Sequence, residues 1–205
     1  LSALQGDRLA AAVDRGRLRI LMYHGFCEDA AAGQPWIPAY FVTRWQLDEQ
    51  LDYLARHWNI LRLSEAVERL RNHDLPPRAV CLTVDDGYAN NLRVAQPLFQ
   101  KYHAPVTIFL ASAYIESGDF YPFDRLRLIR AFASPGAGSK NGYGESLPEY
   151  LNNPLDQVLR NAEPQWRAIV PRLTNDQRRE LRPLTREELR QLDPGVVELG
   201  AHSHN

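Results

Sequence analysis

Cysteine is nearly absent from this sequence. Cys27 and Cys81 are the only two among 205 residues, their separation matches no metal or redox spacing, and Cys81 sits in an apolar run where a thiol behaves as a small hydrophobe. They leave the redox compartment open. A charge excess of one sign is missing as well. Lys and Arg total 24 against 25 Asp and Glu, for a net charge of −1. The mixed charges provide no basic stripe for a phosphate backbone and no polybasic run for an anionic membrane, so nucleic acid is not an expected partner. No apolar stretch approaches the roughly 18 residues of a membrane span, and residues 1–19 lack the continuous apolar centre of a secretory signal. The chain opens at Leu1 rather than Met, so removal of a leader or anchor stays open. What is present is a 44% hydrophobic composition, enough for one sizeable core and a single globular domain.

Short apolar runs alternate with amphipathic helical stretches, the pattern of parallel strands joined by crossover helices, and this predicts an α/β fold. Leu18 to Tyr23 reads as the first strand, ending at His24-Gly25. A helix is expected from Thr43, with Thr43 and Gln46 as a capping box and Trp45, Leu47, Leu51 and Leu54 on its buried side. A short strand near Ile60 leads into a helix capped by Ser64, with Ala66, Val67 and Leu70 facing a sheet. Ala79 to Val84 is a continuous apolar run, as in a parallel strand covered on both faces. A helical stretch over 92–102 is interrupted or started by Pro97, and Val106 to Leu110 reads as the next strand. From Glu116 to Pro183 the pattern loosens around a Gly/Ser-rich patch at 134–144 and several prolines, and the segment reads as an insertion. Regularity returns with a capping box at Thr185 to Glu188, then a strand Val196 to Gly200 and the tail Ala201-His202-Ser203-His204-Asn205.

Asp85-Asp86-Gly87 follows the buried strand at once. Two adjacent carboxylates resist joint ionisation unless a cation offsets them, and a pair of this kind can divide metal ligation from base catalysis on water. The same tripeptide is also ordinary turn chemistry, with Asp85 as a helix cap and Asp86 solvated. His202 and His204 alternate by two, so in an extended segment both imidazoles would face one side and could share a metal. His24 is a third residue at a strand's end. In parallel α/β folds active sites gather where strands reach their C-terminal ends, so these positions are expected on one rim. The aromatics Trp36, Tyr40, Tyr88 and Tyr121 could stack on sugar rings or belong to the core, and receive no site role here.

Thr83-Val84-Asp85-Asp86-Gly87 resembles the T-F-D-D-G signature of the NodB-homology domain, the fold of the polysaccharide deacetylases of carbohydrate esterase family 4. Gly200 to Asn205 is similar to the start of that family's second signature, in which a histidine stands four residues after the first. Leu21-Met22-Tyr23-His24 resembles the opening of exopolysaccharide deacetylases, and Ala104 to Leu110 the strand after the first signature. The likeness spans residues 18–112 and 184–205 and leaves the segment 116–183 outside it. The resemblance implies a distorted seven-stranded β/α barrel, of which about five strands are counted here. It implies Asp85 as the catalytic base, Asp86 and His202 as ligands of a divalent metal, most readily zinc, and a second histidine at position 206. His24 and His204 become site neighbours. The activity implied is hydrolysis of N-acetyl groups on the amino sugars of a polysaccharide, with an extracytoplasmic or cell-envelope setting.

Val84 replaces the usual Phe of the signature, a change of packing between two strand-forming residues. The family's later signatures, for the substrate-groove arginine, the oxyanion segment and the apolar-histidine motif that protonates the leaving amine, are not found, so the chain alone is expected to be inactive. Two other readings remain at this point: a degenerate module that binds glycan without cleaving it, and an amidohydrolase acting on a small amide or formamide, because one fold serves many chemistries.

Overall fold

The computed structural model describes residues 16–133 and 154–203; the Gly/Ser-rich patch at 134–144 and His204 lie outside them. The architecture is α/β. Strands β1 (Leu18–Tyr23), β5 (Ala79–Val84), β6 (Val106–Ala111) and β7 (Val197–Ser203) run parallel in that order, and the short β4 (Asn59–Ile60) pairs with the start of β5. A two-stranded pair, β2 (Phe26–Cys27) with β3 (Val42–Thr43), stands apart. The parallel sheet expected from the alternation of runs is therefore present, and among the described residues it is open rather than closed into a barrel, with β1 and β7 at its edges.

The elements follow their local chemistry. All six residues of β5 are buried, as its unbroken apolar sequence requires of a central parallel strand. Helix α1 (Arg44–His57) starts at the Thr43–Gln46 capping box and buries Leu47, Leu51 and Leu54. Trp45 departs from expectation: it is 63% exposed, because two residues before Leu47 lie about 200° around the helix from that stripe. Helix α2 (Leu63–Arg71) also differs. Its N-cap is Arg62 without a side-chain cap, and the first-turn amide of Ser64 donates instead to the Glu198 carboxylate reaching across from β7. Ala66 is buried against the sheet while Leu70 is exposed, since in so short a helix only one row of side chains reaches it.

After β5 the chain makes a π-helical turn, Asn91–Ala95, before α3 (Gln96–Lys101), and Pro97 lies in the first turn of α3. Proline has no N–H and its ring clashes with the carbonyl four residues back, so it is favoured in the first turn of a helix, where no intrahelical bond is lost. Pro97 thus starts a helix rather than interrupting one.

The segment read as an insertion is built into the body. Helices α4 (Ser112–Ser117), α5 (Pro122–Ala133), α6 (Leu155–Ile169) and α7 (Asn175–Leu181), with the link between α4 and α5, contribute Phe120, Tyr121, Leu128, Trp166, Ile169 and Leu181 to a second apolar cluster. That cluster also holds Cys27, Phe41 and Tyr88 from the flanks of the sheet. Trp36 and Tyr40 pack at its margin, whereas Tyr88 and Tyr121 are core residues. The first cluster, with Phe26, Leu47, Leu51, Leu82 and Phe99 at its centre, lies between the sheet and helices α1 and α3. Short α8 (Arg186–Leu189) begins at the expected Thr185–Glu188 capping box. No helix among the described residues is long and apolar enough to cross a membrane.

Candidate active site

Strand β5 ends at Val84, and the next residue, Asp85, donates its backbone N–H to the carbonyl of Tyr23 at the end of β1. This ladder bond places His24, the residue after Tyr23, beside the two aspartates. Asp86 then takes a left-handed conformation, φ 74°, and Gly87 follows at φ 85°. A non-glycine residue in that region costs on the order of 1–3 kcal/mol and persists only where its surroundings over-determine it. The surroundings do so here. The Asp86 carbonyl accepts from the Ala111 N–H at 3.1 Å and from the Tyr121 hydroxyl at 2.8 Å. The Gly87 carbonyl accepts from the Leu184 N–H, and Ala89 donates its N–H to the carbonyl of Arg182. A side chain at Gly87 would be strained by its φ, and its Cβ would lie 2.7 Å from Leu110 Cδ2, which would have to shift.

His202 arrives on β7, which runs further than expected, through Ser203. Opposite it, β6 slips register. Leu110 pairs with Ala201 and Ala111 with Ser203, so His202 is the unpaired residue of a β-bulge. Bulges re-aim side chains and recur beside active sites. The imidazole Nε2 comes to 3.6 Å from Asp86 Oδ1, with 40% of the His202 side chain and 21% of that of Asp86 exposed.

Burial raises the pKa of Asp86 above the usual carboxylate range; His24 and His202 pull it back down and Asp85 pushes it up further. Asp86 thus feels the charge of both imidazoles and of the second carboxylate. A carboxylate oxygen and an imidazole nitrogen are donors that zinc takes, and at 3.6 Å neither is consumed by a hydrogen bond to the other. The donor chemistry therefore fits a divalent ion. Among the described residues no group of three His, Cys, Asp or Glu side chains stands together as a complete set.

An apolar groove lies elsewhere. It runs between β1 and α1 past Ile20, Met22, Tyr53 and Trp58, and neither Asp85, Asp86 nor His202 lines it. The site is instead a rim of three strand ends.

Two residues near the rim have no site role in the sequence analysis, where Tyr121 appears only as a stacking or core aromatic and Asp124 not at all. Tyr121 reaches Asp86 through its hydroxyl, and Asp124, fully buried, accepts a 2.7 Å hydrogen bond from the Tyr88 hydroxyl. A proline opening a helix with an acidic residue in its first turn, as in Pro122 to Asp124, was a local clue to a helix start. It gave no hint of what that turn would meet.

Comparison with known proteins bears on this geometry. The chain is 30% identical over 96 residues to a poly-beta-1,6-N-acetyl-D-glucosamine N-deacetylase of Staphylococcus epidermidis, a match over 46% of this chain and 33% of that protein. Its structure is similar to that of a de-N-acetylase from Aggregatibacter actinomycetemcomitans, with a TM-score of 0.55 and 18% identity over 92% of this chain and 55% of the other. The chain therefore spans about a third of the length of the first relative and about half of the second. The family model for polysaccharide deacetylase matches residues 72–205, which takes in Asp85, Asp86 and His202. Well over half of the chain falls within that match, and the chain belongs to the polysaccharide deacetylase family.

Proposed function

We propose that the protein hydrolyses N-acetyl groups on the amino sugars of a polysaccharide, with β-linked poly-N-acetylglucosamine as the leading substrate. The observation that carries this reading is the convergence of Asp86 and His202, 3.6 Å apart, from the C-terminal ends of two different strands, with Asp85 adjacent. Asp86 and His202 would hold a divalent ion, zinc being the best match to one carboxylate and one imidazole. When bound, that ion supplies a Lewis acid that acidifies water and polarises the acyl oxygen.

The remaining work falls to side chains. Asp85 is only half-buried, and its backbone is fixed by the bond to Tyr23. Its carboxylate takes the proton from the attacking water as the new C–O bond forms. The C–N bond then breaks, releasing acetate and a free amine that needs a proton. The proton that Asp85 took from water can return to that nitrogen, and His24 stands at the rim as a site neighbour. A substrate of this kind lies outside the cytoplasm, so action at the cell envelope is part of the proposal.

The test is acetate release from N-acetylglucosamine oligomers by the full-length protein, with added zinc and with chelator. Release should stop with chelator and return with zinc. Asp85→Asn should bind zinc and release no acetate, whereas Asp86→Ala should lose both. Equal zinc loss in the two variants would contradict the division of roles. Oligomer binding without release by the zinc-loaded wild type would replace hydrolysis with glycan binding.

A further inference from the structure

One helical turn grips the Asp-Asp-Gly turn from both sides. Tyr121 donates its hydroxyl to the Asp86 carbonyl at 2.8 Å. Three residues on, Asp124 Oδ2 accepts the hydroxyl of Tyr88, two residues past Asp86, at 2.7 Å. The grip is internally braced. Asp124 donates its backbone N–H to the Tyr121 carbonyl at 3.0 Å. The Tyr121 ring meets Tyr88 edge-on at 4.7 Å between centroids and tilts against Tyr114 at 4.9 Å. Tyr121 and Tyr88 are 6% and 1% exposed and Asp124 is 0% exposed, so these contacts are shielded from water, where a hydrogen bond is stronger and its loss more costly.

Position matters here because of the backbone at Asp86. At φ 74° its conformation is not the one the residue would choose, and the direction of its carboxylate depends on where its carbonyl is held. Among the described residues two groups hold that carbonyl: the Ala111 amide, from the β6 strand end, and the Tyr121 hydroxyl, from the segment between β6 and β7. The first belongs to the sheet. The second comes from the stretch that the signatures of the sheet do not include.

We propose that Tyr121 and Asp124 form a positioning clamp that fixes the left-handed Asp86 turn, and through it the carboxylate that faces His202. This rests on the reading of Asp86 as a metal ligand only for its consequence, not for its geometry. Tyr121 acts through Asp86 and Asp124 acts through Tyr88, so both are positioning residues rather than catalytic ones. Partners that orient a ligand in this way commonly change metal affinity by tenfold or more when removed.

The experiment is amide hydrogen exchange combined with zinc titration on the full-length protein, comparing wild type, Tyr121→Phe, Asp124→Ala, Asp124→Asn and Asp86→Ala. Tyr121→Phe keeps the ring and removes one hydroxyl. It should speed exchange at Asp85, Gly87 and Ala111 by about tenfold, leave the buried β5 amides unchanged, and weaken zinc binding on the order of tenfold. Asp124→Ala should do the same, while Asp124→Asn, whose amide oxygen still accepts from Tyr88, should restore wild-type exchange and affinity. Unchanged exchange at those three amides in Tyr121→Phe overturns the clamp, whatever zinc does, and decides the matter alone if Asp124→Ala does not fold. Zinc binding by Asp86→Ala equal to wild type overturns the metal reading instead, and the clamp then stands or falls on exchange.

Discussion

Replacing Asp124 with asparagine is expected to stabilise the protein above neutral pH and to do progressively less as the solution is acidified. Burial pushes the Asp124 carboxyl from its ordinary 3.8 up to about 7, against the opposing pull of the Tyr88 hydroxyl bond and of Arg127. One oxygen, Oδ1, has no hydrogen-bond partner, so the charged form is poorly compensated. With the folded value above the unfolded one, the folded state binds the extra proton. The protonated carboxyl's contribution is complete below about 3.8 and is lost as pH rises through about 7. A displacement of that size corresponds to roughly 4 kcal/mol between the two limits. Asparagine is neutral throughout and its amide oxygen can accept from Tyr88, so the variant should lack this loss. Urea unfolding of both proteins at pH 5 and pH 8 measures it. Glu180, whose carboxyl is also raised by burial, titrates in both proteins and cancels in the difference, whereas Asp86, whose charge contributes to raising Asp124, adds a smaller part to it. The stability of Asp124→Asn relative to wild type should increase by about 2–4 kcal/mol from pH 5 to pH 8. A difference that is flat with pH would show that Asp124 is not held protonated by the fold.

Two further substitutions test the frame around the site. Gly87→Ala introduces a Cβ at φ 85° that would stand 2.7 Å from Leu110 Cδ2; it should cost about 2–3 kcal/mol, read by denaturant midpoint, and zinc binding should weaken with it. Arg93→Met removes the cation 2.6 Å from Glu180, whose side chain is 1% exposed. With Arg179 left at 3.5 Å as the remaining partner, the loss should be about 3 kcal/mol in the same assay, and a cost below about 1 kcal/mol would show that the buried carboxylate is protonated without Arg93.

Much of the sheet was legible because its strands carry the signal in consecutive residues. Ala79 to Val84 and Val106 to Leu110 are continuous apolar runs bounded by polar turns, and a strand buried on both faces has no other way to be written. The capping boxes at Thr43 and Thr185 were equally local, each needing only four residues. Errors arose where a neighbour decided the outcome. Ser64 has the right side chain to cap α2, yet Glu198 from β7 serves that helix end, and nothing near Ser64 in sequence announces it. Trp45 fits an apolar stripe by composition but not by angle.

The chemistry divides along the same line. Asp85, Asp86 and His202 stood out because each follows directly after a predicted strand, and the rule that parallel strands present their C-terminal ends to one rim brought them together without any structure. Their orientation was not readable. The left-handed backbone of Asp86 depends on a hydroxyl 35 residues away, and the aim of His202 depends on a one-residue slip between Leu110 and Ala111 on a different strand. Both devices come from tertiary contact, so a motif can name candidate site residues while leaving unspecified what holds them. The segment 116–183 shows why this matters for the reaction. Having no place in the signatures, it reads as an addition to a finished fold, yet it supplies the Tyr121 hydroxyl on Asp86, packs Leu181 into the second core cluster and offers the Arg182 carbonyl to the Ala89 N–H. A turn that sits in a strained backbone conformation needs a second layer to hold it there, and in this chain that layer is drawn from the part of the sequence that looked most dispensable.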